Sequence, residues 1–289
     1  MNKVLIIGAD GQLGTDLTKV IPKKEIIPLT IKDIDITDEN LTRKVVLKHS
    51  PDFIINTAAC HNVDECEDND DKAFKVNAIG VKYLALAAKE SGGVLVHIST
   101  DYVFAGDKNE PYVEEDTPSP KTVYGISKLA GEYYVRYLLN KYFVIRTSGL
   151  YGVAGCLGKG RTNFVENMLK LAKQKDKLEV VGDQIVSPTY TLDLARKINE
   201  LMRTEKYGLY HITNNGQCSW YEFAKKIFEL TGTKIKLEKT TSADFKAKAW
   251  RPLYSVLKNK RLEDLGMDDL RLWEDALQAY LREKGHLKG

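Results

Sequence analysis

The sequence predicts an α/β fold: a doubly wound parallel sheet of the Rossmann type, followed by a smaller C-terminal α/β lobe. Three observations predict it. Short apolar runs recur at 4–7, 53–55 and 94–96, and such runs are typical of strands buried on both faces. Helix-like stretches separate these runs, and this alternation favours a parallel sheet. Glycines, small residues or hydroxyl residues follow the runs, at the sheet edge where doubly wound folds bind ligands.

Length and composition suit a folded protein without a nucleic-acid or membrane partner. The chain has 289 residues, of which 43% are hydrophobic and 29% charged, and its net charge is +3. With no basic stripe, we expect no binding to nucleic acid. No apolar run approaches the ~20 residues that a membrane span needs, and no leader segment is indicated. The four cysteines form no CxxC pair, which predicts reduced thiols, no zinc site and a cytoplasmic location.

The first predicted strand leads directly into a glycine-rich turn. Val4–Ile7 is followed by the run Gly8-Ala9-Asp10-Gly11-Gln12-Leu13-Gly14 and then by a helix-like stretch. Glycines at such a turn allow a tight bend and let the backbone approach a pyrophosphate at the helix N-terminus. The spacing is GxxGxxG rather than the general GxGxxG, and three glycines also occur in ordinary loops. Their place between a buried strand and a helix favours a dinucleotide site.

We therefore expect two domains. Residues 1–150 would bind the dinucleotide, and residues 151–289 would form the substrate-binding lobe. A helix near 191–203 carries an apolar face and is expected to pack back on the first domain.

The second strand bears on the choice between NADPH and NADH. An NAD site usually keeps an acidic residue at the end of this strand for the ribose hydroxyl. Here Thr30 follows Ile26–Leu29, and Lys32 is placed to accept a 2′-phosphate. This favours NADPH, although Asp33 stands close enough to leave NADH open.

Residues after the second and third strands are further candidates for the cofactor site. Asp35 and Ile36 are placed to border the adenine. Ala58 and Ala59 follow the strand at 53–56, and small side chains there leave room for the cofactor. Small residues also serve plain packing, so this pattern alone does not decide.

A Tyr–Lys pair at the centre of the chain is the main candidate for catalysis. Tyr124 and Lys128 stand four residues apart and share one face of a predicted helix. A nearby ammonium stabilises a phenolate and lowers the pKa of the phenol, which suits acid–base work. The ordinary alternative is a packed Tyr beside a solvated Lys. Thr100, at the end of the strand before this helix, adds a hydroxyl at the ligand-binding edge of the sheet.

Together these segments resemble the extended short-chain dehydrogenase/reductases and, among them, most closely the dTDP-4-dehydrorhamnose reductases. The resemblance extends over nearly the whole chain. It rests on Gly8-x-x-Gly11-Gln12-Leu13-Gly14, Asn56-x-Ala58-Ala59, Val63-Asp64-x-x-Glu67, Ser99-Thr100-Asp101-Tyr102-Val103-Phe104, Tyr124-x-x-x-Lys128, Asn163-Phe164, Asp183-Gln184-x-x-Ser187-Pro188-Thr189 and Arg251-Pro252.

The resemblance implies NAD(P)H-dependent reduction of the 4-keto group of a nucleotide-linked 6-deoxy sugar. Thr100 would hydrogen-bond the carbonyl oxygen, Tyr124 would give it a proton, and Lys128 would hold the nicotinamide ribose and lower the Tyr124 pKa. The cofactor would be lined by Gly8, Gly11, Gln12, Leu13, Ala58 and Ala59. The substrate would be bound by Val63, Thr100, Asp101, Asn163 and Arg251.

Two segments depart from the family pattern. Gly149 stands where the family usually has a Trp that contacts the substrate, which opens the choice of sugar. The glycine-rich stretch 153–162 is longer than expected and is either a lid or a disordered loop.

Some family members dimerise through a magnesium ion. Asp16 matches one carboxylate of that site, but no others are placed, so we predict no metal and expect a monomer or homodimer.

Two other functions stay open. An epimerase or dehydratase of this superfamily keeps its cofactor bound, but dehydratases have Thr-Asp-Glu where this chain has Thr100-Asp101-Tyr102. A non-catalytic subunit, like the regulatory subunit of methionine adenosyltransferase, is the third reading. An intact Thr, Tyr and Lys set is of no use to such a subunit.

Overall fold

A six-stranded parallel sheet forms the centre of the protein, in the order β10-β5-β4-β3-β1-β2. The computed structural model describes residues 2–287, apart from the side chain of Lys159. Met1, Lys288 and Gly289, at the ends of the two predicted domains, lie outside the described residues. The strands are β1 Val4–Ile7, β2 Ile26–Leu29, β3 Phe53–Asn56, β4 Val94–Thr100, β5 Tyr142–Thr147, β6 Leu150–Tyr151, β7 Lys177–Val181, β8 Ile185–Val186, β9 Thr189–Tyr190, β10 Gly208–His211, β11 Cys218–Ser219 and β12 Lys236–Thr240.

Helices cover both faces of this sheet, which confirms the predicted doubly wound fold. They are α1 Gln12–Val20, α2 Glu39–His49, α3 Val63–Asp68, α4 Asp70–Phe74, α5 Val81–Ser91, α6 Val123–Leu138, α7 Phe164–Ala172, α8 Thr191–Leu201, α9 Trp220–Thr231, α10 Ser242–Phe245, α11 Lys260–Asp264 and α12 Trp273–Glu283. Between residues 2 and 287, no helix has the length and apolarity to cross a membrane.

The first strand shows why continuous apolar runs mark this sheet. Val4 and Ile6 face a core completed by α1 and α8. Leu5 and Ile7 face the opposite core, completed by α2 and α5. Because alternate side chains point to opposite faces, a strand covered on both sides needs an apolar residue at every position.

Strand β10 corrects the predicted domain boundary. The sequence analysis placed Gly208–His211 in the second lobe, but this strand pairs in parallel with β5 and forms the edge of the main sheet. The preceding helix, α8, packs against α1. A helix on the face of the sheet acts as a crossover, so the strand after it returns to the same sheet.

The remaining part of the second lobe is small. Its strands β7 and β12 pair in parallel, and α7, α9 and α12 share an apolar core with them. Ser219 caps α9 through a capping box with Glu222, and Gly232 ends the helix with φ +64°.

A π-helical segment, Lys75–Gly80, lies between α4 and α5, and Asn77 falls within it. The Asn77 side chain accepts from the Cys60 amide and donates to the Cys60 carbonyl oxygen and to the Ser127 hydroxyl. Asn77 therefore ties the chain after β3 to α6.

Candidate active site

Helix α6 presents the Tyr–Lys pair to the end of β4. It begins after Thr122, whose hydroxyl accepts a hydrogen bond of 3.0 Å from the Gly125 amide. A Cβ at Gly125 would lie 2.2 Å from the Tyr102 carbonyl oxygen, and one at Gly131 would lie 2.2 Å from that of Asn77. Only glycine allows this close approach, which brings α6 against the site.

Lys128 is buried beneath the site, with 2% of its surface exposed. Its ammonium donates to the Ile98 carbonyl oxygen at 2.5 Å and lies 3.5 Å from His97 Nε2. Burial lowers the pKa of Lys128 to about 8, against the opposing effect of Glu132. His97 accepts at Nδ1 from the Asn56 amide at 3.2 Å, and burial holds the pKa of His97 well below its usual range.

The pKa of Tyr124 differs from the expectation. Burial raises the pKa of this phenol, and a hydrogen bond with Thr100 opposes the rise. Asp101, Tyr102 and Cys66 raise it further. The pKa of Tyr124 is thus raised rather than lowered, and the Lys128 ammonium is bonded to the Ile98 carbonyl oxygen on β4. A phenol with a raised pKa keeps its proton at neutral pH, which suits a proton donor.

Thr100 and Asp101 form a buried hydroxyl–carboxyl pair beside Tyr124. Thr100 donates to Asp101 Oδ1 at 3.0 Å, and Ser148 donates to Asp101 Oδ2 at 2.8 Å. Only 4% of Asp101 is exposed, and burial raises its pKa although these hydroxyls and Ser255 oppose the rise. Asp101 thus contacts the side chains of Thr100 and Ser148, and its contact with substrate stays a prediction.

The glycine-rich turn has the shape that a pyrophosphate requires. Gly8 has φ +78°, and a Cβ there would lie 2.6 Å from Thr57 Oγ1. A Cβ at Gly14 would lie 2.1 Å from the Gly8 carbonyl oxygen, so α1 packs directly on the turn. Gly11 precedes α1 without a side-chain cap, which leaves first-turn amides available to an anion. The buried Gln12 Oε1 has no hydrogen-bond partner, and the residues present therefore fit a dinucleotide.

Other predicted cofactor residues lie around this turn in different ways. Leu13 packs into the core, so only its backbone faces the turn. Asp35 accepts from the Thr37 amide and hydroxyl, and Ile36 is buried against Gly80. Ala58 and Ala59 follow β3, directly beside Thr57 and the turn.

The residues expected to distinguish NADPH from NADH at the 2′-position of the cofactor ribose follow β2 and are exposed. Asp33 accepts from both the amide and the hydroxyl of Thr30, and these bonds lower its pKa. Lys32 is exposed beside them. The carboxylate is thus engaged within its own turn, while the ammonium faces solvent.

Arg251 reaches the site from the second lobe. Its Nη2 donates to Asp64 Oδ2 at 2.9 Å, and its buried Nη1 has no hydrogen-bond partner. Asp64 follows Val63, the first residue of α3. The Tyr102 ring packs edge-to-face on Tyr124 with centroids 5.6 Å apart, and the charge of Arg251 lowers the Tyr102 pKa against the larger effect of burial. An unpaired guanidinium nitrogen in this position suits a phosphate ligand.

The side chain of Asn163 is engaged within the second lobe, and its contact with substrate stays a prediction. It is 4% exposed and caps α7, where its side-chain oxygen accepts from the Glu166 amide at 3.1 Å. Its amide nitrogen donates to the Gly152 carbonyl and the Tyr280 hydroxyl. Every polar atom of the side chain is therefore used within the second lobe.

Gly149 and the stretch 153–162 have defined shapes. Gly149 has φ +58°, a backbone conformation that disfavours any side chain. A Cβ there would also lie in tight contact with Pro188 Cα, at 3.1 Å. In the stretch 153–162, Cys156 pairs with Thr162 in a β-bridge, and Leu157–Lys159 form a 3₁₀ turn. The stretch contacts His61, two residues beyond Ala59.

Asp16, the candidate for a metal-binding carboxylate, has other partners. It accepts from Lys19 at 2.7 Å and from Thr191 at 2.5 Å. Across residues 2–287, no group of three or more His, Cys, Asp or Glu side chains is arranged to hold a metal ion.

Three residues at the site were missed by the sequence reasoning. Tyr102 and Asp64 stand within quoted motifs, directly after Asp101 and Val63, so motif position is a signal that could have found them. His97, on β4, is buried and contacts Lys128. That contact arises from the packing of α6 against β4, which the sequence alone does not show.

Comparison with known proteins decides the family. The family model described as the RmlD substrate binding domain matches residues 1–285. This chain belongs to the RmlD family. Among RmlD-family relatives, it is 44% identical over 286 residues to the spore coat polysaccharide biosynthesis protein SpsK of Bacillus subtilis, covering 98% of each chain. It is 38% identical over 282 residues to the dTDP-4-dehydrorhamnose reductase of Streptomyces griseus, covering 94% of this chain and 91% of the relative.

A solved structure in the RmlD family has the same fold. The dTDP-4-dehydrorhamnose reductase of Bacillus anthracis, crystallised in complex with NADP, superposes with a TM-score of 0.93 at 43% identity. The match covers 98% of this chain and 99% of that one. The family predicted from the sequence motifs is confirmed.

Proposed function

We propose that this protein is an NADPH-dependent reductase of the 4-keto group of a nucleotide-linked 6-deoxy sugar. The proposed substrate is dTDP-4-dehydro-L-rhamnose, and the product is dTDP-L-rhamnose. The observation that carries the proposal is the convergence of Thr100, Tyr124 and Lys128 at the end of β4, next to a turn that fits a dinucleotide. Membership of the RmlD family supports the same reaction.

When bound at the glycine-rich turn, the reduced nicotinamide cofactor would supply the hydride that C4 of the sugar accepts. Tyr124 gives its phenolic proton to the C4 oxygen, and the raised pKa keeps that proton in place until it is needed. Thr100 would orient the same oxygen by a hydrogen bond, for which its hydroxyl must turn from Asp101, to which it donates in this structure. Lys128 would hold the nicotinamide ribose, and its ammonium charge would stabilise the phenolate that Tyr124 becomes.

Arg251 is proposed to bind the diphosphate of the sugar nucleotide. Its Nη1 is buried and unpaired, and its Nη2 is fixed by Asp64. A guanidinium held in this way offers a donor fork to phosphate oxygens. Val63, which precedes Asp64, and Tyr102, on which the charges of Arg251 and Asp64 act, would contact the sugar. NADPH is preferred because Lys32 is free to meet a 2′-phosphate while Asp33 is bonded to Thr30.

The test follows the loss of nicotinamide absorbance with dTDP-4-keto-6-deoxy-L-lyxo-hexose generated in situ. NADPH and NADH are compared, and the D-xylo epimer of the sugar serves as a second substrate. We expect turnover with the L-lyxo sugar and faster turnover with NADPH. Turnover with the D-xylo sugar alone would reassign the substrate. Tight cofactor binding without turnover of either sugar would overturn the proposal and favour the non-catalytic subunit.

A further inference from the structure

Cys156 differs from the other cysteines in its surroundings. Cys60, Cys66 and Cys218 are 8%, 0% and 4% exposed. Burial and contact with Cys60 raise the pKa of Cys66 to about 12, and burial also raises the pKa of Cys218. Cys156 is only half-buried, within the stretch 153–162. Among the cysteines that the structure describes, Cys156 is therefore the one accessible enough for selective thiol chemistry.

The Cys156 thiol lies against an imidazole. Its Sγ is 2.7 Å from His61 Nε2, and His61 Nδ1 is 3.4 Å from the Ala59 carbonyl oxygen. A carbonyl only accepts hydrogen bonds, so the Nδ1 side of the ring carries the proton and Nε2 presents a lone pair to the thiol. This is the arrangement in which an imidazole takes the proton of a thiol and leaves a thiolate.

The backbone around Cys156 also packs against the His61 imidazole. A Cβ at Gly158 would lie 2.7 Å from the His61 ring, so a residue without a side chain is needed for the turn to pack there. Gly155 has φ +69° and lies against Arg161, and this close contact folds the stretch back through the Cys156–Thr162 bridge. The thiol–imidazole contact therefore belongs to a shaped turn rather than to a freely moving side chain.

We propose that the Cys156–His61 pair is a site of thiol modification that takes a low-molecular-weight disulfide. His61 Nε2 accepts the thiol proton, and the Cys156 thiolate attacks one sulfur of the disulfide. A new S–S bond forms as the old one breaks, and the leaving thiolate takes the proton from the imidazolium. The product is a mixed disulfide, in which Cys156 is oxidised, and one free thiol, which is the reduced half of the reagent, so no other oxidant is required.

The modification would act on the neighbouring site. An adduct on Sγ cannot be accommodated in a 2.7 Å contact, so the turn must leave His61. His61 lies between Ala59, at the proposed cofactor site, and Val63, at the proposed substrate site. This consequence rests on the proposed function. We expect the mixed disulfide to raise the KM for the keto sugar while NADPH binding is unchanged, and a reductant to reverse the effect.

The experiment treats the full-length protein with glutathione disulfide and, separately, with iodoacetamide, and maps the products by mass spectrometry. We expect Cys156 to react at least about tenfold faster at pH 7 than the three buried thiols. Cys218→Ser serves as the matched control, and it should leave the rate at Cys156 unchanged. Faster modification at Cys60, Cys66 or Cys218 would overturn the proposal.

The role of His61 is tested by His61→Asn. This variant should slow alkylation of Cys156 about tenfold at pH 7, and the gap should close near pH 9.5, where a thiol ionises without help. A merely structural role would give the same ratio at both pH values, and such a result contradicts the pair. The labelling readout requires no turnover, so a failed reductase assay would not affect its outcome.

Discussion

At the residue scale, burial decides the protonation states around the reacting carbonyl. Lys128 is the group whose pKa, about 8, falls nearest to physiological pH, because burial disfavours its charged form. The Tyr124 pKa is shifted in the opposite direction, so the phenol stays protonated throughout the neutral range. The mechanism requires both protons, so its pH limit on the alkaline side belongs to Lys128.

The first prediction concerns this limit. The kcat/KM for the keto sugar should be constant near pH 7 and fall as the pH rises through about 8, because Lys128 then loses its charge. The measurement is a pH profile of reduction at saturating NADPH, with cofactor binding followed separately. A profile that stays flat to about pH 9.5 would show that the charge of Lys128 is not required.

The second prediction concerns Asp101, whose carboxyl accepts from Thr100 and Ser148. Asp101→Asn keeps an acceptor for Thr100 and should retain activity within about tenfold, whereas Asp101→Ala releases Thr100 and should lose about 100-fold in kcat. NADPH binding should be unchanged in both variants. Equal losses in the two variants would mean that the negative charge, rather than the hydrogen bond, is what matters.

At the element scale, the position of α6 depends on contacts that only glycine permits. An alanine within a helix usually stabilises it by about 1 kcal/mol relative to glycine. At Gly131 the added Cβ would meet the Asn77 carbonyl oxygen at 2.2 Å, inside the π-helical segment. The packing cost therefore outweighs the helix propensity.

The third prediction is that Gly131→Ala lowers the free energy of unfolding by about 1–3 kcal/mol, the range expected for overpacking. It should also reduce kcat, because α6 carries Tyr124 and Lys128. Urea denaturation measures the stability. Ile126→Ala, an exposed position on the same helix, is the control and should change it by less than about 0.5 kcal/mol. A stabilised Gly131→Ala variant would refute this account of α6.

The turn after β2 carries the fourth prediction. Lys32→Glu places a carboxylate where we propose that the 2′-phosphate binds, so the KM for NADPH should rise about tenfold or more while that for NADH changes little. Initial rates with each cofactor give the ratio. A parallel rise for both cofactors would mean that Lys32 does not select between them.

At the scale of the whole molecule, the sequence predicted most of what pattern and spacing can encode. The buried strands, the glycine-rich turn and the Tyr–Lys helix are local features, and each was found from neighbouring residues. The membership of β10 in the main sheet depends on how α8 packs on α1. That packing brings together residues that are far apart in the chain.

The same limit applies at the site. Asn163 belongs to a motif, but the motif does not show that its amide nitrogen donates to Gly152 and Tyr280, or that its oxygen caps α7 by accepting from Glu166. The Tyr124 pKa was argued from the spacing to Lys128. The direction of the ammonium is set instead by the Ile98 carbonyl on β4. Tertiary contacts such as these cannot be read from one segment.

The most direct test of the account is the kcat of Tyr124→Phe with dTDP-4-keto-6-deoxy-L-lyxo-hexose and NADPH, measured alongside the binding of both ligands. Phenylalanine keeps the ring against Tyr102 and removes only the proton donor. We predict that kcat falls by about 10²–10⁴-fold while both ligands still bind. Turnover within a few-fold of the unmodified protein would contradict the assignment of Tyr124 as the acid.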